Sequence, residues 1–343
     1  MSSLRPVRGT PAQLLAELRT WNDRVDEPRP LIVETSGSAG DPKRVLLSRA
    51  ALRASAASTS GRLGGPGQWL LNLLPTYVAG LQVLFRSVVA GTEPVLVQDD
   101  LDLPTAAGSM TGDRRYVSLV PTQLRRMLDD PRQAQVLGTF TTVLVGGAHV
   151  PADLRFRAVD QGVHIVATYG MSETCGGCVY DGVPLDGVTV GIGAGGQVRL
   201  RGPVVFDGYD GRPDLTAEVL RDGWLLTQDF GRLDEEGKLR VLGRIDDVVV
   251  SGGVNVPASA VAARLREHPD VAETEVVGVP DPDWGLRVVA FVVGDLELDA
   301  ARDWVSDALP RSWAPREIHR LTSIPLLDNG KVDRVRLRQV ACG

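Results

Sequence analysis

Strand-like and helix-like segments alternate along residues 69–168, and this alternation restricts the fold more than any other feature of the sequence. The predicted strands are residues 69–74, 94–98, 116–120, 142–145 and 163–168, and the predicted helices between them are residues 80–89, 122–129 and 151–161. Such alternation predicts an α/β fold in which helices cover a mostly parallel sheet. Ligands of these folds bind beside the carboxyl ends of the strands, so functional residues are expected in the loops that follow the strands.

The rest of the chain predicts two further regions. Short strands separated by turn residues predict a β-rich subdomain at about residues 182–242, which belongs to a large domain formed by residues 1–243. Residues 244–343 are numerous enough for a small α/β domain, and the charged segment 244–247 is the predicted linker. Outside the alternating region the predicted helices are 11–21, about 49–60 after the N-cap Ser48, 257–268 and 299–309, and the predicted strands are 31–33, 45–47, 197–201, 237–242, 273–279 and 287–293.

Composition excludes several classes of protein. An apolar content of 43% and a charged content of 23% are typical of globular proteins. The 43 acidic and 37 basic residues give a net charge of −6, which disfavours nucleic acid and anionic membranes as partners. The chain contains no run of about 18 apolar residues, and its first residues lack the apolar segment of a signal peptide. A cytoplasmic protein without membrane insertion is therefore expected.

A loop of small residues follows the predicted strand 31–33. Its glycines allow the backbone N–H groups to approach an anion, its hydroxyls donate further hydrogen bonds, and a lysine adds a compact positive charge. The residues concerned are Thr35, Ser36, Gly37, Ser38, Gly40 and Lys43. This composition predicts a phosphate-binding loop, with an ordinary glycine-serine hairpin as the alternative. It is not a Walker A loop, because a second strand follows Lys43 where a helix would be required.

Lysine is rare in this chain. Only Lys43, Lys238 and Lys331 occur among the 37 basic residues, and two of the three stand in glycine-containing loops. A slim ammonium fits among phosphate oxygens where a guanidinium does not, which is a physical reason for Lys43 and Lys331 to be lysines. With three cases, chance remains the alternative explanation.

The strand 163–168 leads into a turn that carries an aromatic and an acidic side chain. An aromatic ring such as that of Tyr169 can pack on a purine, and the carboxylate of Glu173 can hold a magnesium ion that arrives with a nucleotide. The alternative is a strand end with a solvent-facing glutamate.

Five segments resemble, in order, the motifs of the adenylate-forming superfamily of acyl-CoA synthetases, peptide-synthetase adenylation domains and luciferases. The segments are Thr35-Ser-Gly-Ser-Ala-Gly-Asp-Pro-Lys43, Tyr169-Gly-Met-Ser-Glu-Thr174, Gly223-Trp-Leu-Leu-Thr-Gln-Asp229, Gly243-Arg-Ile-Asp-Asp247 and Asp328-Asn-Gly-Lys-Val-Asp-Arg334. The third segment departs from the family pattern, because Gln228 replaces a glycine. Each segment alone could be a surface turn, but together in this order they identify the chain as a member of the superfamily.

The resemblance implies a role for each matching residue. It places Tyr169 beside adenine, Ser172 near the phosphates and Glu173 on Mg²⁺. It places both ribose hydroxyls on Asp229, ribose and phosphate near Arg244, and the hinge of a mobile C-terminal domain at Asp246. It implies that Lys331, Lys43 and Glu173 are the catalytic residues. Of these, Lys331 reaches the reacting carboxylate and the α-phosphate. The nucleotide-binding residues that it implies are Thr35, Ser36, Gly37, Ser38, Gly40, Gly147, Ala148, Thr168, Tyr169, Gly170, Met171, Ser172, Asp229 and Arg244.

Within the superfamily, the chain is most similar to the o-succinylbenzoate:CoA ligases of menaquinone biosynthesis, especially the short actinobacterial type. The similar segments are Ser118-Leu-Val-Pro-Thr-Gln-Leu124, Val145-Gly-Gly-Ala148, Gly170-Met-Ser-Glu-Thr-Cys-Gly-Gly177 and Ser251-Gly-Gly-Val-Asn-Val-Pro257. The implied substrate- and CoA-binding residues are Ser118, Thr122, Gly146, Gly252 and Gly253. Two departures are that Val78 stands where many relatives have a histidine, and that the chain begins closer to the phosphate loop than most relatives do.

The implied activity has two steps: a carboxylic acid and ATP form an acyl-adenylate with Mg²⁺, and coenzyme A then displaces AMP. Two alternatives remain at this point, an adenylation enzyme that loads a carrier protein and a non-catalytic ATP-binding module. A homodimer is compatible with the sequence.

The sequence Cys175-Gly-Gly-Cys178 places two sulfurs at the spacing of metal ligands or a redox pair. A structural zinc site requires four ligands, and neither Cys342 nor the four histidines form a second close pair. These cysteines are therefore expected to be reduced, packed residues, with a metal or redox role as the alternative.

Overall fold

The computed structural model describes residues 3–35, 42–97, 102–326 and 332–342. Contacts within the chain divide it into two compact units. The first unit contains Met1–Val190, Leu200–Leu226 and Glu235–Leu239, and the second contains Gly191–Arg199, Thr227–Asp234 and Arg240–Gly343. The predicted boundary between residues 243 and 244 remains a prediction.

Helices occur in both units. They are α1 (Pro11–Asn22), α2 (Arg49–Arg62), α3 (Val78–Ala90), α4 (Leu103–Gly108), α5 (Pro121–Leu128), α6 (Pro131–Leu137), α7 (Ala152–Asp160), α8 (Pro213–Val219), α9 (Ala258–Arg266), α10 (Leu298–Ser306) and α11 (Arg334–Cys342). Short 3₁₀ helices are formed by Ser172–Thr174, Ala194–Gly196, Ile245–Asp247 and Arg311–Trp313. No helix among the described residues combines the length and the apolar character that a membrane crossing requires.

The strands form four sheets. In chain order they are β1 (Leu31–Glu34), β2 (Arg44–Leu47), β3 (Gln68–Leu71), β4 (Val95–Leu96), β5 (Arg115–Leu119), β6 (Thr142–Val145), β7 (Ile165–Met171), β8 (Gly176–Tyr180), β9 (Val183–Pro184), β10 (Thr189–Ile192), β11 (Gln197–Arg201), β12 (Gly208–Tyr209), β13 (Leu220–Arg221), β14 (Trp224–Leu233), β15 (Leu239–Arg244), β16 (Val248–Ser251), β17 (Val254–Pro257), β18 (Val271–Asp281), β19 (Gly285–Gly294) and β20 (Glu317–Arg320).

A seven-stranded sheet forms the centre of the first unit. Its order is β4-β3-β5-β6-β7-β8-β9, with parallel pairing from β4 to β7 and antiparallel pairing from β7 to β9. Val117 and Val143 share a buried core with residues of α4 to α7. Because neighbouring strand residues face opposite sides, Tyr116 and Ser118 face the side of the sheet that α3 covers. The predicted α/β fold with a mostly parallel sheet is confirmed.

The predicted phosphate loop lies between two strands, as the sequence indicated. Strands β1 and β2 pair in antiparallel register from Leu31 opposite Leu47 to Glu34 opposite Arg44, and β12 adds to the other side of β2. The Thr35 N–H donates to the Lys43 carbonyl at 2.9 Å, which continues the ladder by one pair. Strand β2 therefore brings β12 into the same sheet as β1, although the two are far apart in sequence.

The predicted β-rich region is also present. Strands β10, β11, β14 and β13 form a sheet in that order, and β15 pairs with β14. Helix α8 lies in this region and was not predicted, because its seven residues provide only two turns of periodicity.

The second unit contains a sheet of order β17-β16-β19-β18, with β20 parallel to β19. The predicted helices 257–268 and 299–309 correspond to α9 and α10, and the long hairpin β18–β19 contains both predicted strands. Residues of α9, α10 and the sheet share one buried core, in which Val261, Val276 and Val305 are almost inaccessible to solvent.

Candidate active site

Glu173 lies just beyond the carboxyl end of β7, on the 3₁₀ helix Ser172–Thr174. The side chain of Thr174, which is fully buried, fixes this turn. Its hydroxyl accepts a hydrogen bond from the Met171 N–H at 2.9 Å and donates to the Gly176 carbonyl at 2.7 Å. Because the hydroxyl of Thr174 satisfies backbone groups on both sides, the turn presents Glu173 in one orientation.

Tyr209 holds the Glu173 carboxylate, and its role was not predicted from the sequence. The Tyr209 hydroxyl donates to Glu173 Oε1 at 2.7 Å, and the Phe206 N–H donates to the Glu173 carbonyl at 2.9 Å. Tyr209 lies in β12, opposite Val45 of β2. One short strand therefore connects the phosphate-loop hairpin to the acidic turn.

The protonation state of Tyr209 follows from its surroundings. Burial, and then the neighbouring Glu173 carboxylate, raise the pKa of the Tyr209 phenol far above its usual value. The phenol therefore keeps its proton and remains the donor, while the ionised carboxylate accepts.

Lys43 lies over the Tyr209 ring, with its ammonium 5.4 Å from the ring centroid. Its neighbour Arg44 pairs with Asp210 at 2.8 Å, whereas Lys43 is exposed and forms no ion pair with the described residues. The ammonium is therefore available to an anion beside the loop. Five predicted site residues, Ser36, Gly37, Ser38, Gly40 and Lys331, lie outside the described residues.

A magnesium ion that is bound to a nucleotide needs few ligands from the protein. Mg²⁺ is commonly held by one or two carboxylates together with substrate phosphates. Glu173 supplies one carboxylate, and the described residues contain no group of three or more acidic, histidine or cysteine side chains that could enclose a metal ion alone. These residues fit Mg²⁺ that arrives with ATP.

The carboxyl ends of β5 and β6 meet beside the middle of β7. Leu119, Val145 and Ala167 lie side by side in the register, which brings the neighbouring residues Ser118, Gly146 and Thr168 to the same edge. Gly146 must be a glycine, because a Cβ at this position would overlap with Thr168 Oγ1. Gly147, Ala148 and Thr122 are exposed beyond the ends of β5 and β6.

Tyr169 and Gly170 occupy a different local structure from the predicted one. The sequence indicated a strand that ends at Thr168 and a turn from Tyr169, but β7 continues to Met171 because it pairs with β8, a strand that was not predicted. The register shifts between Tyr169 and Gly170, and a Cβ on Gly170 would overlap with the Gly176 carbonyl. The turn begins only at Ser172.

Cys175 and Cys178 are packed residues, as predicted. Both are fully buried, and burial raises the pKa of both thiols, that of Cys178 to about 12. The Cys175 carbonyl accepts hydrogen bonds from Gln82 Nε2 at 2.8 Å and from Ser55 Oγ at 3.3 Å. The backbone at Cys175 therefore ties α2 and α3 to the turn that carries Glu173. Val78, at the position of the expected histidine, is the first residue of α3.

Asp229 and Arg244 lie together in the second unit. The Asp229 side chain is 15% exposed, its N–H donates to Thr227 Oγ1 at 3.0 Å, and one carboxylate oxygen is 3.9 Å from Arg244 Nη1. Gln228 is exposed on the other side of β14, because side chains alternate along a strand. The bulk of Gln228 therefore does not crowd Asp229.

The predicted hinge residue lies on the 3₁₀ helix Ile245–Asp247. Asp246 is 71% exposed and lies 3.5 Å from Arg244 Nε, so few contacts restrain it. Its neighbour Asp247 pairs with Arg334 at the start of α11, and Arg334 also binds Glu275 at 2.8 Å. This network was not predicted, and it holds Arg334, which is three residues after Lys331 in the sequence.

The two predicted CoA-binding glycines differ in their surroundings. Both have positive φ angles, +56° at Gly252 and +78° at Gly253. A Cβ on Gly252 would overlap with the Trp284 ring, whereas a Cβ on Gly253 would meet nothing within 4 Å. Space beside the β16–β17 turn is therefore open at Gly253 and filled at Gly252.

Two family models match the chain. The AMP-binding enzyme model matches residues 30–205, and the model of the AMP-binding enzyme C-terminal domain matches residues 260–331. These segments contain the phosphate-loop hairpin, the Glu173 turn and most of the second unit.

Curated relatives and solved structures agree with the family models. The chain is 44% identical over 338 residues to a probable 2-succinylbenzoate–CoA ligase of Mycobacterium tuberculosis, covering 94% of this chain and 87% of that protein. It is 33% identical to the 2-succinylbenzoate–CoA ligase of Bacillus anthracis, over 90% and 69% of the two chains. The o-succinylbenzoate CoA synthetase of Bacillus subtilis, solved with the acyl-adenylate OSB-AMP, superposes with a TM-score of 0.74 at 28% identity, over 90% and 68% of the chains. The same enzyme was solved with ATP and a magnesium ion, with a TM-score of 0.73 at 27% identity, over 90% and 69% of the chains. The chain therefore belongs to the AMP-binding enzymes and, within them, to the family of the 2-succinylbenzoate–CoA ligases.

Proposed function

We propose that this protein is an ATP-dependent ligase that joins 2-succinylbenzoate to coenzyme A, a step of menaquinone biosynthesis. The observation that carries the proposal is the 44% identity to a probable 2-succinylbenzoate–CoA ligase across almost the whole of both chains. The arrangement of Lys43, Tyr209 and Glu173 supports it, because the three residues place a free cation and a positioned carboxylate beside the phosphate-loop hairpin.

In the first half-reaction an oxygen of the substrate carboxylate attacks the α-phosphorus of ATP, and pyrophosphate leaves. Lys43 and the hydroxyls of the loop hold the β- and γ-phosphates, and Lys331 stabilises the charge that develops between the carboxylate and the α-phosphate. Tyr209 orients Glu173 toward the metal that accompanies the nucleotide. When bound, Mg²⁺ neutralises part of the phosphate charge.

Positioning of the nucleotide and the acid completes this half-reaction. Tyr169 lies beside adenine, and Ser118, Thr122 and Gly146 border the acyl group at the carboxyl edge of the sheet. Asp229 accepts hydrogen bonds from both ribose hydroxyls, for which its two ionised oxygens are suited.

In the second half-reaction the thiol of coenzyme A attacks the acyl carbon, and AMP leaves with the oxygen that bridged it to the acyl group. The open space at Gly253 suits the approach of the thiol, and the strict requirement for glycine at Gly252 keeps the turn in place. Residues 244–343 move about Asp246 between the two steps, so that Lys331 serves the first and Gly252–Gly253 the second. The enzyme works in the cytoplasm, where ATP and coenzyme A are present.

A panel of carboxylic acids tests the proposal. The purified protein is incubated with ATP, Mg²⁺ and coenzyme A, together with 2-succinylbenzoate, benzoate, succinate or malonate, and formation of AMP and of the thioester is measured. We expect turnover with 2-succinylbenzoate, and at least a hundredfold lower kcat/KM for the other acids. Equal or better turnover with another acid would reject the substrate assignment, and AMP release that does not depend on coenzyme A would reject the ligase assignment.

A further inference from the structure

A cavity lies at the opposite end of the central sheet from Glu173. Its volume is about 400 Å³, and it is enclosed by α2, α3 and the amino-terminal ends of β3 and β5. Trp69 and Tyr116 form its floor, and both side chains are almost completely buried. Ala57 and Val89 are exposed at its mouth. The carboxyl ends of the strands carry the proposed active site, so this cavity is separate from it.

Arg86 lines this cavity, and the described residues provide no polar partner for it. The residue is only 7% exposed, and its buried Nε has no hydrogen-bond partner in the described part of the chain. Within the described part of the chain it forms no ion pair, and its guanidinium lies 5.0 Å from the centroid of the Trp69 ring. Arginine remains charged at any physiological pH, so it cannot escape the cost of burial by losing a proton. The Trp69 ring offsets part of this cost, and a bound anion would offset more of it.

Two other polar groups of the cavity already have hydrogen-bond partners. The Tyr116 hydroxyl lies 3.1 Å from the carbonyls of both Leu63 and Gly65, and Thr59 Oγ1 lies 3.1 Å from the hydroxyl of Tyr180. The remaining wall is mainly apolar and is formed by Ala56, Ala57, Leu63, Pro66, Val89 and Ala90. One free cationic donor in an apolar cavity of this size is typical of a site for a small organic anion.

We propose that this cavity binds a small carboxylate with a flat apolar body. The carboxylate pairs with the terminal nitrogens of the Arg86 guanidinium, and the apolar body fills the space between Leu63, Ala57 and Val89. The site is independent of the proposed ligase reaction. Arg86 is eight residues after Val78, the first residue of α3, so the two residues are about 12 Å apart along the helix.

Binding of 1-naphthoate tests the proposal, measured by titration calorimetry on the full chain. We expect saturable binding to the wild type, and at least tenfold weaker binding of the uncharged 1-naphthalenemethanol, because a hydrogen bond to a charged group is lost. Arg86→Leu should weaken naphthoate binding by at least tenfold without lowering Tm, since it removes an unpaired buried charge. Ala57→Trp should also weaken binding, because it fills the mouth while Arg86 stays in place.

Two controls separate this site from others. Arg62→Leu changes an arginine of α2 that is bound to the Pro184 carbonyl and does not line the cavity, and it should bind naphthoate as the wild type does. Arg86→Leu and Ala57→Trp should retain acid-dependent release of pyrophosphate. Absence of naphthoate binding by the wild type, or unchanged binding by Ala57→Trp, would overturn the proposal. Naphthoate binding by Ala57→Trp tests the proposal even if Arg86→Leu does not fold.

Discussion

Replacing Tyr209 by phenylalanine tests how Glu173 is positioned. The change removes the hydroxyl that donates to Glu173 Oε1 at 2.7 Å and keeps the ring that lies 5.4 Å from the Lys43 ammonium. A hydrogen bond to a charged group contributes roughly 1.5–3 kcal/mol, which corresponds to about 10- to 150-fold. Glu173 is half-buried, so water replaces part of this interaction and the loss should lie near the lower limit. We expect kcat/KM for ATP to fall about tenfold.

The assay is acid-dependent release of pyrophosphate as a function of Mg²⁺ and ATP concentration. Because Glu173 is proposed to hold the metal, the Mg²⁺ concentration for half-maximal rate should rise in Tyr209→Phe. Tyr180→Phe is the matched control, since it removes another buried tyrosine hydroxyl, 3.1 Å from Thr59 Oγ1, and should leave the Mg²⁺ dependence unchanged. An unchanged Mg²⁺ dependence in folded Tyr209→Phe, or an equal effect in the control, would refute the positioning role.

The same variant should change the alkaline stability of the protein. Burial and Glu173 raise the pKa of Tyr209 in the folded state, so the stability that the neutral phenol provides is complete below the unfolded-state pKa of about 10. It is lost progressively as the pH rises above that value, because the unfolded chain then releases the proton. Above pH 10, the free energy of unfolding should therefore fall less steeply in Tyr209→Phe than in the wild type, as measured by urea denaturation.

Three further predictions follow from the site. Asp229→Ala should weaken ATP binding at least tenfold, measured by calorimetry, since it removes the acceptors for two ribose hydroxyls. Unchanged ATP affinity would show that Asp229 does not bind the ribose. Lys331→Ala should slow adenylate formation by about a hundred- to a thousandfold yet convert supplied acyl-adenylate to the thioester at a near-normal rate, and equal damage to both steps would exclude a role in the first step alone. Burial raises the pKa of the Cys175 and Cys178 thiols, whereas Cys342 is exposed. A thiol reagent should therefore modify one cysteine of the native chain quickly and the other two after unfolding, and rapid modification of all three would contradict the packing.

The elements that were predictable are those whose periodicity is local. The strands and the longer helices of residues 69–168 were predicted because each has its own apolar pattern, and β6 has the predicted bounds. The short helices α4 and α6 were not predicted. The end of β7 was misplaced because its last residues pair with the two glycines that begin β8, and glycine is not typical of a strand. Tertiary pairing decided this boundary.

The site was predictable where a motif carries its own chemistry and not where partners come from distant segments. Glu173 and Lys43 were found from their turns, but Tyr209 belongs to a two-residue strand that pairs with β2 more than 160 residues earlier. No local pattern distinguishes this tyrosine from any other. Arg86 was missed for a related reason, because an arginine in an otherwise apolar helix does not reveal whether it has a partner.

Transfer of labelled oxygen tests the central claim, formation of an acyl-adenylate, most directly. 2-Succinylbenzoate with ¹⁸O in its carboxylates is turned over with ATP, Mg²⁺ and coenzyme A, and the AMP is analysed by mass spectrometry. If the carboxylate attacks the α-phosphorus and the thiol then cleaves the acyl carbon–oxygen bond, the bridging oxygen remains with AMP. One ¹⁸O is expected in each AMP formed, and AMP without ¹⁸O would exclude an acyl-adenylate intermediate.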